Sequence, residues 1–245
     1  MQESIPVGAA EGRPLDQASS ASTGVSGSAL DDPRALQILS TEHWSLLAGR
    51  SLAYNEAFSR AGMFLTFLSA TLIVIGFVIG SQGLAPGVVP VAAILLLADL
   101  YIGVATVGRL ISANSEELHA VRGMNRIRHA YREMVPGLEP YFVSSFYDDA
   151  FGVLAAYGDI AANQSTLANV FHGLTTMIGM VMTVVAMIIG ALAALVAVGI
   201  GLGGEVALLA AVVGFMVGTA IFASVGMRTA IAHQANAESR FPTPD

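Results

Sequence analysis

The stretch GMFLTFLSATLIVIGFVIG, residues 62–80, decides the fold of this chain. It carries no charged residue, and no Asp, Glu, Lys or Arg occurs anywhere between Arg60 and Asp99. A helix needs about 20 apolar residues to cross the hydrocarbon core of a bilayer. The stretch therefore predicts a transmembrane span over roughly residues 62–81.

Three further segments have the same character, at roughly 88–110, within 171–200, and at roughly 206–227. Short glycine-containing connections follow the first and the third span. The run Gly199-x-Gly201-x-Gly203-Gly204 superficially resembles a dinucleotide fingerprint, but no strand precedes it, so we interpret it as a flexible turn. The predicted fold class is an all-α membrane protein: four transmembrane helices arranged as two hairpins, with helical cytosolic extensions.

The positions of the arginines predict the orientation. All 11 basic residues are Arg, and the two hairpin loops hold none of them. Basic residues stay on the cytoplasmic side of a membrane. We therefore expect both termini and the central segment in the cytoplasm, with the chain in the inner (plasma) membrane. The expected division is a disordered cytosolic tail at 1–32, an amphipathic cytosolic helix at 33–61, transmembrane hairpin 1 at 62–110, a cytosolic helical module at 111–169, transmembrane hairpin 2 at 170–227 and a cytosolic tail at 228–245.

The cytosolic helices continue the spans. We expect the helix at 33–61 to run into span one, and span two to extend to Met134, where Val135-Pro136-Gly137 ends it. The first helix carries a stripe at helical spacing that either packs on the central cytosolic helices, the favoured interpretation, or lies on the membrane surface. We call it the aromatic stripe: Trp44, Leu47, Ser51, Tyr54 and Phe58. The aromatic-rich stretch 141–157 predicts a packed core, with a protein-contact face as the alternative.

The extension of span two presents one strongly basic face, which we call the arginine face: Arg122, Arg126, Arg128 and Arg132. Like charges at i,i+4 repel one another slightly on a bare helix, so the face requires a negative partner. That partner is anionic lipid, a phosphorylated ligand, or one of the acidic residues downstream, namely Glu139, Asp148, Asp149 and Asp159.

Asp99 lies near the middle of span two, where a charged side chain costs roughly 3 kcal/mol. It either forms a polar contact that holds helices together, which we call a polar clamp, or is a proton- or cation-responsive group on a water-accessible pathway. The hydroxyls that we expect as its hydrogen-bond donors are those of Thr66, Ser69, Thr175, Thr176, Thr183 and Thr219.

Two small-residue patterns, Gly76-x-x-x-Gly80 in span one and Gly214-x-x-x-Gly218 in span four, allow close helix approach. Intramolecular packing is the simpler role for each pattern, and contact between subunits of an oligomer is the alternative.

Composition excludes several chemistries. Without cysteine or lysine there is no thiolate metal site, cysteine nucleophile, Schiff-base lysine or Walker A lysine. The net charge of −7 argues against nucleic acid as a partner. The five histidines follow no metal-binding spacing, and no catalytic motif occurs. We therefore expect neither enzymatic activity nor a cofactor or metal.

The segments EHWSLL (42–47), YNEAFSRAGMFL (54–65) and GMNRIRHAY (123–131) resemble a group of uncharacterised multi-pass integral membrane proteins of high-GC, actinobacterial-type bacteria. The resemblance covers roughly residues 40–230 and implies location and topology without an activity. A helix that enters a two-span hairpin and returns as a long cytosolic helix is also similar in architecture to SLATT-type membrane effectors, which are implicated in pore formation. The second hairpin departs from that two-span form.

These features favour a non-enzymatic scaffold or sensor that couples a helical cytosolic module to the membrane. We expect it to be a homo-oligomer with a protein partner of unknown identity. The alternative is an oligomeric ion channel or small transporter that uses Asp99.

Overall fold

The computed structural model describes residues 28–85, 87–156, 176–235 and 238–244. Within these ranges the chain is all-helical. Its helices are α1 (Ala35–Gln82), α2 (Val88–Met134), the short α3 (Ala150–Ala155), α4 (Met177–Gly199) and α5 (Gly204–Ala235), with single 3₁₀ turns at Ala29–Asp31 and Glu139–Tyr141. The predicted fold class is confirmed.

Four of these helices, α1, α2, α4 and α5, are long and apolar enough to cross a membrane. Large apolar side chains project outward from them, including Ile73 at 72% exposed, Phe77 at 77% and Leu208 at 68%. A continuous apolar surface of this kind is unfavourable in water and favourable against lipid tails. The chain is therefore a multi-pass membrane protein.

Helices α1 and α2 extend well beyond their apolar segments. With 48 and 47 residues they are each about 70 Å long at 1.5 Å per residue, more than twice the hydrocarbon thickness. Span one is continuous with the helix before it, and α2 ends at Met134, as predicted. The chain then turns at Gly137, whose φ of 95° suits glycine.

Helix α2 lies between α1 and α4, and α5 packs on α4. Phe64 of α1 and Val181 and Val185 of α4 are fully buried in the shared core. Gly103 of α2 permits this close packing, because a Cβ there would lie 2.7 Å from Val185 Cγ2 and 2.9 Å from Phe64 Cε2.

Glycines allow the two helices of the second hairpin to pack closely. Residues 200–203 connect α4 to α5, and Gly201 adopts a φ of 82°, so the glycine-rich run is a turn. A Cβ at Gly214 would lie 3.0 Å from Gly190 Cα, and one at Gly218 would lie 3.2 Å from Ala186 Cα. Gly214 and Gly218 therefore pack α5 against α4 within the chain. Around Gly76 and Gly80, by contrast, a Cβ would meet open space.

The interpretation favoured for the aromatic stripe is wrong. Trp44 is 68% exposed, Tyr54 and Phe58 are each 50% exposed, and Leu47 and Ser51 are exposed as well. The face of α1 that packs on α2 instead carries the buried Ala57 and Ala61. Small side chains let the two helix backbones approach, whereas bulky rings keep them apart.

Several predictions fall outside the described residues. These are the proposed disorder of the tail up to residue 27, Thr175 as a donor and Asp159 as an acidic partner. The expected tail at 228–245 begins as the last part of α5, which continues to Ala235, and residues 238–244 lie against the C-terminal part of α2. The cytosolic location of this tail stays a prediction.

Candidate functional site

Asp99 is buried in the core of the spans, with 2% of its surface exposed. Its Oδ2 atom has no hydrogen-bond partner among the described residues. The hydroxyls of Thr66, Ser69 and Thr183 do not donate to it; each donates instead to a carbonyl of its own helix, four residues back. The prediction is wrong for these three donors. A hydroxyl in a membrane helix donates to a carbonyl of its own helix when no other acceptor is close enough.

A second polar cluster lies along the C-terminal part of α2 and is organised by Asn125, which is fully buried. The Asn125 amide donates from Nδ2 to the carbonyls of Tyr147 at 2.8 Å and Gly152 at 3.1 Å. These bonds tie the segment before α3, and the first turn of α3 itself, to the side of α2. Asp149 caps α3 by accepting from Gly152 N–H at 2.9 Å, as expected of an N-cap aspartate.

Asp148 lies at the centre of this cluster and is fully buried. Arg126 of the arginine face donates from Nε to Asp148 Oδ2 at 2.6 Å, and Arg122 Nε donates to the Asp148 carbonyl at 3.1 Å. A buried carboxylate is stable only when it is paired and hydrogen-bonded. Arg126 provides the countercharge, and the remaining donors come from a distant part of the chain.

Those donors belong to residues 238–244, which we call the tail segment. Ser239 Oγ donates to Asp148 Oδ1 at 2.7 Å, Phe241 N–H donates to the same oxygen at 2.8 Å, and Arg240 N–H donates to both carboxylate oxygens at 3.1 and 3.0 Å. In return, Asp148 N–H donates to the Phe241 carbonyl at 3.1 Å. The buried carboxylate therefore accepts hydrogen bonds from the backbone of the tail segment as well as from one of its side chains.

The rest of the tail segment is held on both sides of Asp148. Arg126 Nη2 donates to the Glu238 carbonyl at 2.8 Å. The Phe241 ring stacks on His129 of α2, with 4.1 Å between centroids. Thr243 Oγ1 donates to Asp149 Oδ1 at 3.0 Å.

The hydrogen bonds and the ion pair around Asp148 determine its ionisation. Burial acts to raise the pKa of the carboxyl, but the hydrogen bonds from Arg240 N–H, Ser239, Phe241 N–H and Arg126 outweigh it and hold that pKa well below its usual range. Asp148 is therefore a carboxylate at neutral pH while the tail segment is in place.

The other two members of the arginine face also have partners within the chain. Arg128 Nη1 donates to Asn125 Oδ1 at 2.7 Å. Arg132 lies 3.6 Å from Glu139 and 5.6 Å from the centre of the Phe146 ring. The acidic residues downstream of α2 thus supply part of the negative charge that this face requires. Binding of anionic lipid by the same arginines stays a prediction.

Sequence reasoning named Asp148 as one acidic partner of the arginine face and missed the tail segment altogether. The signal available was the pattern Ser239-x-Phe241-x-Thr243, in which alternate residues carry groups able to contact one surface.

No family model, curated protein or solved structure matches this chain. The resemblance to actinobacterial-type membrane proteins and to SLATT-type effectors therefore stays a prediction. Among the residues that the structure describes, no group of His, Asp and Glu side chains is arranged to hold a metal ion. The expected lack of enzymatic activity also stays a prediction.

Proposed function

We propose that this protein is a scaffold or sensor of a bacterial plasma membrane, in which a helical cytosolic module is joined rigidly to the transmembrane helices. One observation carries the proposal: α2 is a single helix from Val88 to Met134. It holds Asp99 within the span core and Asn125 and Arg126 in the polar cluster. A continuous helix transmits a tilt or rotation of its membrane half to its other half.

The first helix supports the same interpretation. Arg109 of α2 donates from Nη2 to Glu56 of α1 at 3.0 Å, and Arg50 of α1 donates to Glu117 of α2 at 2.6 Å. These ion pairs clamp the two helices just beyond their apolar segments. The pair α1–α2 therefore moves as one unit, with both termini on the cytoplasmic side in the orientation that we propose.

Coupling is measurable with spin labels, because the chain has no cysteine of its own. Labels at Val143→Cys and Leu202→Cys report the distance between the module, which moves with α1 and α2, and the loop of the second hairpin. Reconstitution in bilayers of different thickness should shift this distance, because the tilt of long spans follows thickness. Replacement of Ser112 and Asn114 by glycine destabilises α2 between its two halves and makes it more flexible there. This double substitution should reduce the shift in distance. An unchanged distance in every bilayer would contradict the proposal.

Transport through an oligomer is the second candidate, and the unpartnered Oδ2 of Asp99 favours it. Wild-type protein in proteoliposomes separates the two functions. A scaffold leaves proton and sodium flux at the level of empty liposomes, whereas a transporter gives a flux that Asp99→Asn abolishes. Self-association, which a channel requires, is also proposed here for the scaffold, with the open surface at Gly76 and Gly80 as its contact.

A further inference from the structure

The tail segment lies in the cytosolic cluster as an extended peptide. Side chains of Ser239, Phe241 and Thr243 are half-buried, and those of the residues between and beside them, Glu238, Arg240, Pro242 and Pro244, are exposed. This strict alternation is how an extended peptide presents one row of side chains to a surface.

Each half-buried residue meets a different group. Ser239 contacts the Asp148 carboxylate, Phe241 contacts the His129 ring, and Thr243 contacts the Asp149 carboxylate. Between them, the backbone of residues 240 and 241 is bonded to Asp148 in both directions. Backbone bonds of this kind give affinity, and side-chain contacts at alternate positions give specificity.

The surface that receives the peptide consists of residues outside the tail segment. Arg126 and His129 lie on α2, and Asp148 and Asp149 are held in place because Asn125 fixes the backbone around Tyr147 and Gly152. Asp148 also forms an ion pair with Arg126 at 2.6 Å, so the countercharge of its carboxylate comes from α2 and not from the tail segment.

We propose that this surface is a peptide-binding groove that recognises an extended segment of the pattern Ser-x-Phe-x-Thr, and that residues 238–244 are its resident ligand. When the tail segment leaves, the groove accepts a segment of the same pattern from another protein. The proposal deepens the proposed function and rests on it in one respect, since it names the class of partner that the cytosolic module would take.

The test uses the full chain in detergent and a fluorescent synthetic peptide with the sequence of residues 236–245, NAESRFPTPD. In the host chain, Ser239→Ala with Phe241→Ala weakens the resident ligand and frees the groove. The matched control host carries Arg240→Ala with Pro242→Ala, which alters exposed side chains of the same segment. Circular dichroism and size-exclusion chromatography establish that both hosts are folded.

We expect the freed host to bind the peptide at least about tenfold more tightly than the native and control hosts, because a tethered ligand competes at an effective concentration near millimolar. A peptide with alanine at both the Ser239 and Phe241 positions should lose binding, and one with alanine at the Arg240 position should keep it. Equal binding of the native and double-alanine peptides, or equal binding by the freed and native hosts, would overturn the proposal.

A second measurement guards against an unfolded host. A spin label at Pro244→Cys in the otherwise native chain should be immobilised, and adding Asp148→Ala should mobilise it. A mobile label in the otherwise native chain would show that the tail segment is no resident ligand. Both measurements are made in detergent, so their failure is distinct from failure of the bilayer-thickness experiment.

Discussion

Asp99 and Asp148 are both buried carboxyl groups, yet their surroundings differ in kind. Asp148 has a countercharge and several donors, whereas Oδ2 of Asp99 has no partner among the described residues. A satisfied buried carboxylate organises the structure around it. An unsatisfied one costs stability, and such a cost in a membrane span points to a role beyond packing.

Replacement of Asp99 tests this difference. Asp99→Val should stabilise the protein in detergent by about 1–3 kcal/mol, because it removes an unsatisfied buried polar group, while Asp99→Asn should change stability by less than about 1 kcal/mol. The control is Thr106→Val, at a buried hydroxyl that is bonded to the Ile102 carbonyl. Thermal unfolding followed by circular dichroism measures all three. A marked loss of stability in Asp99→Val would mean that the carboxyl is a structural clamp.

Asp148 gives a pH dependence to tail docking. Because docking lowers the pKa of Asp148, the stabilisation is complete where the undocked carboxyl is ionised and is lost as the pH falls through the undocked pKa toward the docked one. We expect the label at Pro244→Cys to stay immobilised from about pH 8 to about pH 5 and to become mobile below about pH 4, where an aspartate becomes protonated. The charged and titratable groups around the carboxyl are those of Arg122, Arg126, His129, Asp149, Glu238 and Arg240. Release between pH 7 and pH 6 would contradict control of docking by Asp148.

At the scale of helices, glycines separate two kinds of surface. Gly190 and Gly214 touch across the α4–α5 interface, where a Cβ on Gly190 would lie 2.6 Å from the Ala211 carbonyl oxygen. Gly76 and Gly80 face open space on α1. The same sequence pattern thus serves packing within the chain in one span, whereas in another its glycines meet no neighbour among the described residues.

Substitution distinguishes these roles. Gly214→Leu should disrupt the α4–α5 hairpin and lower stability by about 1–3 kcal/mol or more, since overpacking a tight interface is destabilising. Gly76→Leu should leave the stability of the chain unchanged and weaken self-association in detergent, as measured by analytical ultracentrifugation. Equal loss of stability in both variants would contradict the assignment of the two surfaces.

The sequence predicted the helices better than their contacts. Hydropathy located the spans because a bilayer requires about 20 apolar residues regardless of neighbours, and Pro136 with Gly137 marked the end of α2. Periodicity identified the aromatic stripe as a face of α1 but did not reveal that Ala57 and Ala61 on another face pack on α2. The contact of Asp148 with Ser239 joins residues 91 apart in sequence, and no local pattern specifies such a pairing.

At the scale of the whole molecule, the chain places its apolar spans at one end and its polar cluster at the other. Helices α1 and α2 connect the two, and the tail segment brings the end of the chain that follows α5 back to α2. The polar cluster therefore combines residues of α2 with residues that follow the last span in sequence. This arrangement is the basis of our proposal that the protein couples its membrane helices to a partner of the cluster.

The central claim is that the polar cluster is cytoplasmic and that both hairpin loops are on the opposite side. Single cysteines in the cysteine-free chain test it most directly: Val143→Cys beside the cluster, fully exposed, and Leu84→Cys and Leu202→Cys in the two hairpin loops, both exposed. With a membrane-impermeant maleimide, intact cells should label residues 84 and 202, and residue 143 should react only after the membrane is permeabilised. Labelling of residue 143 in intact cells, with residues 84 and 202 protected, would contradict the account.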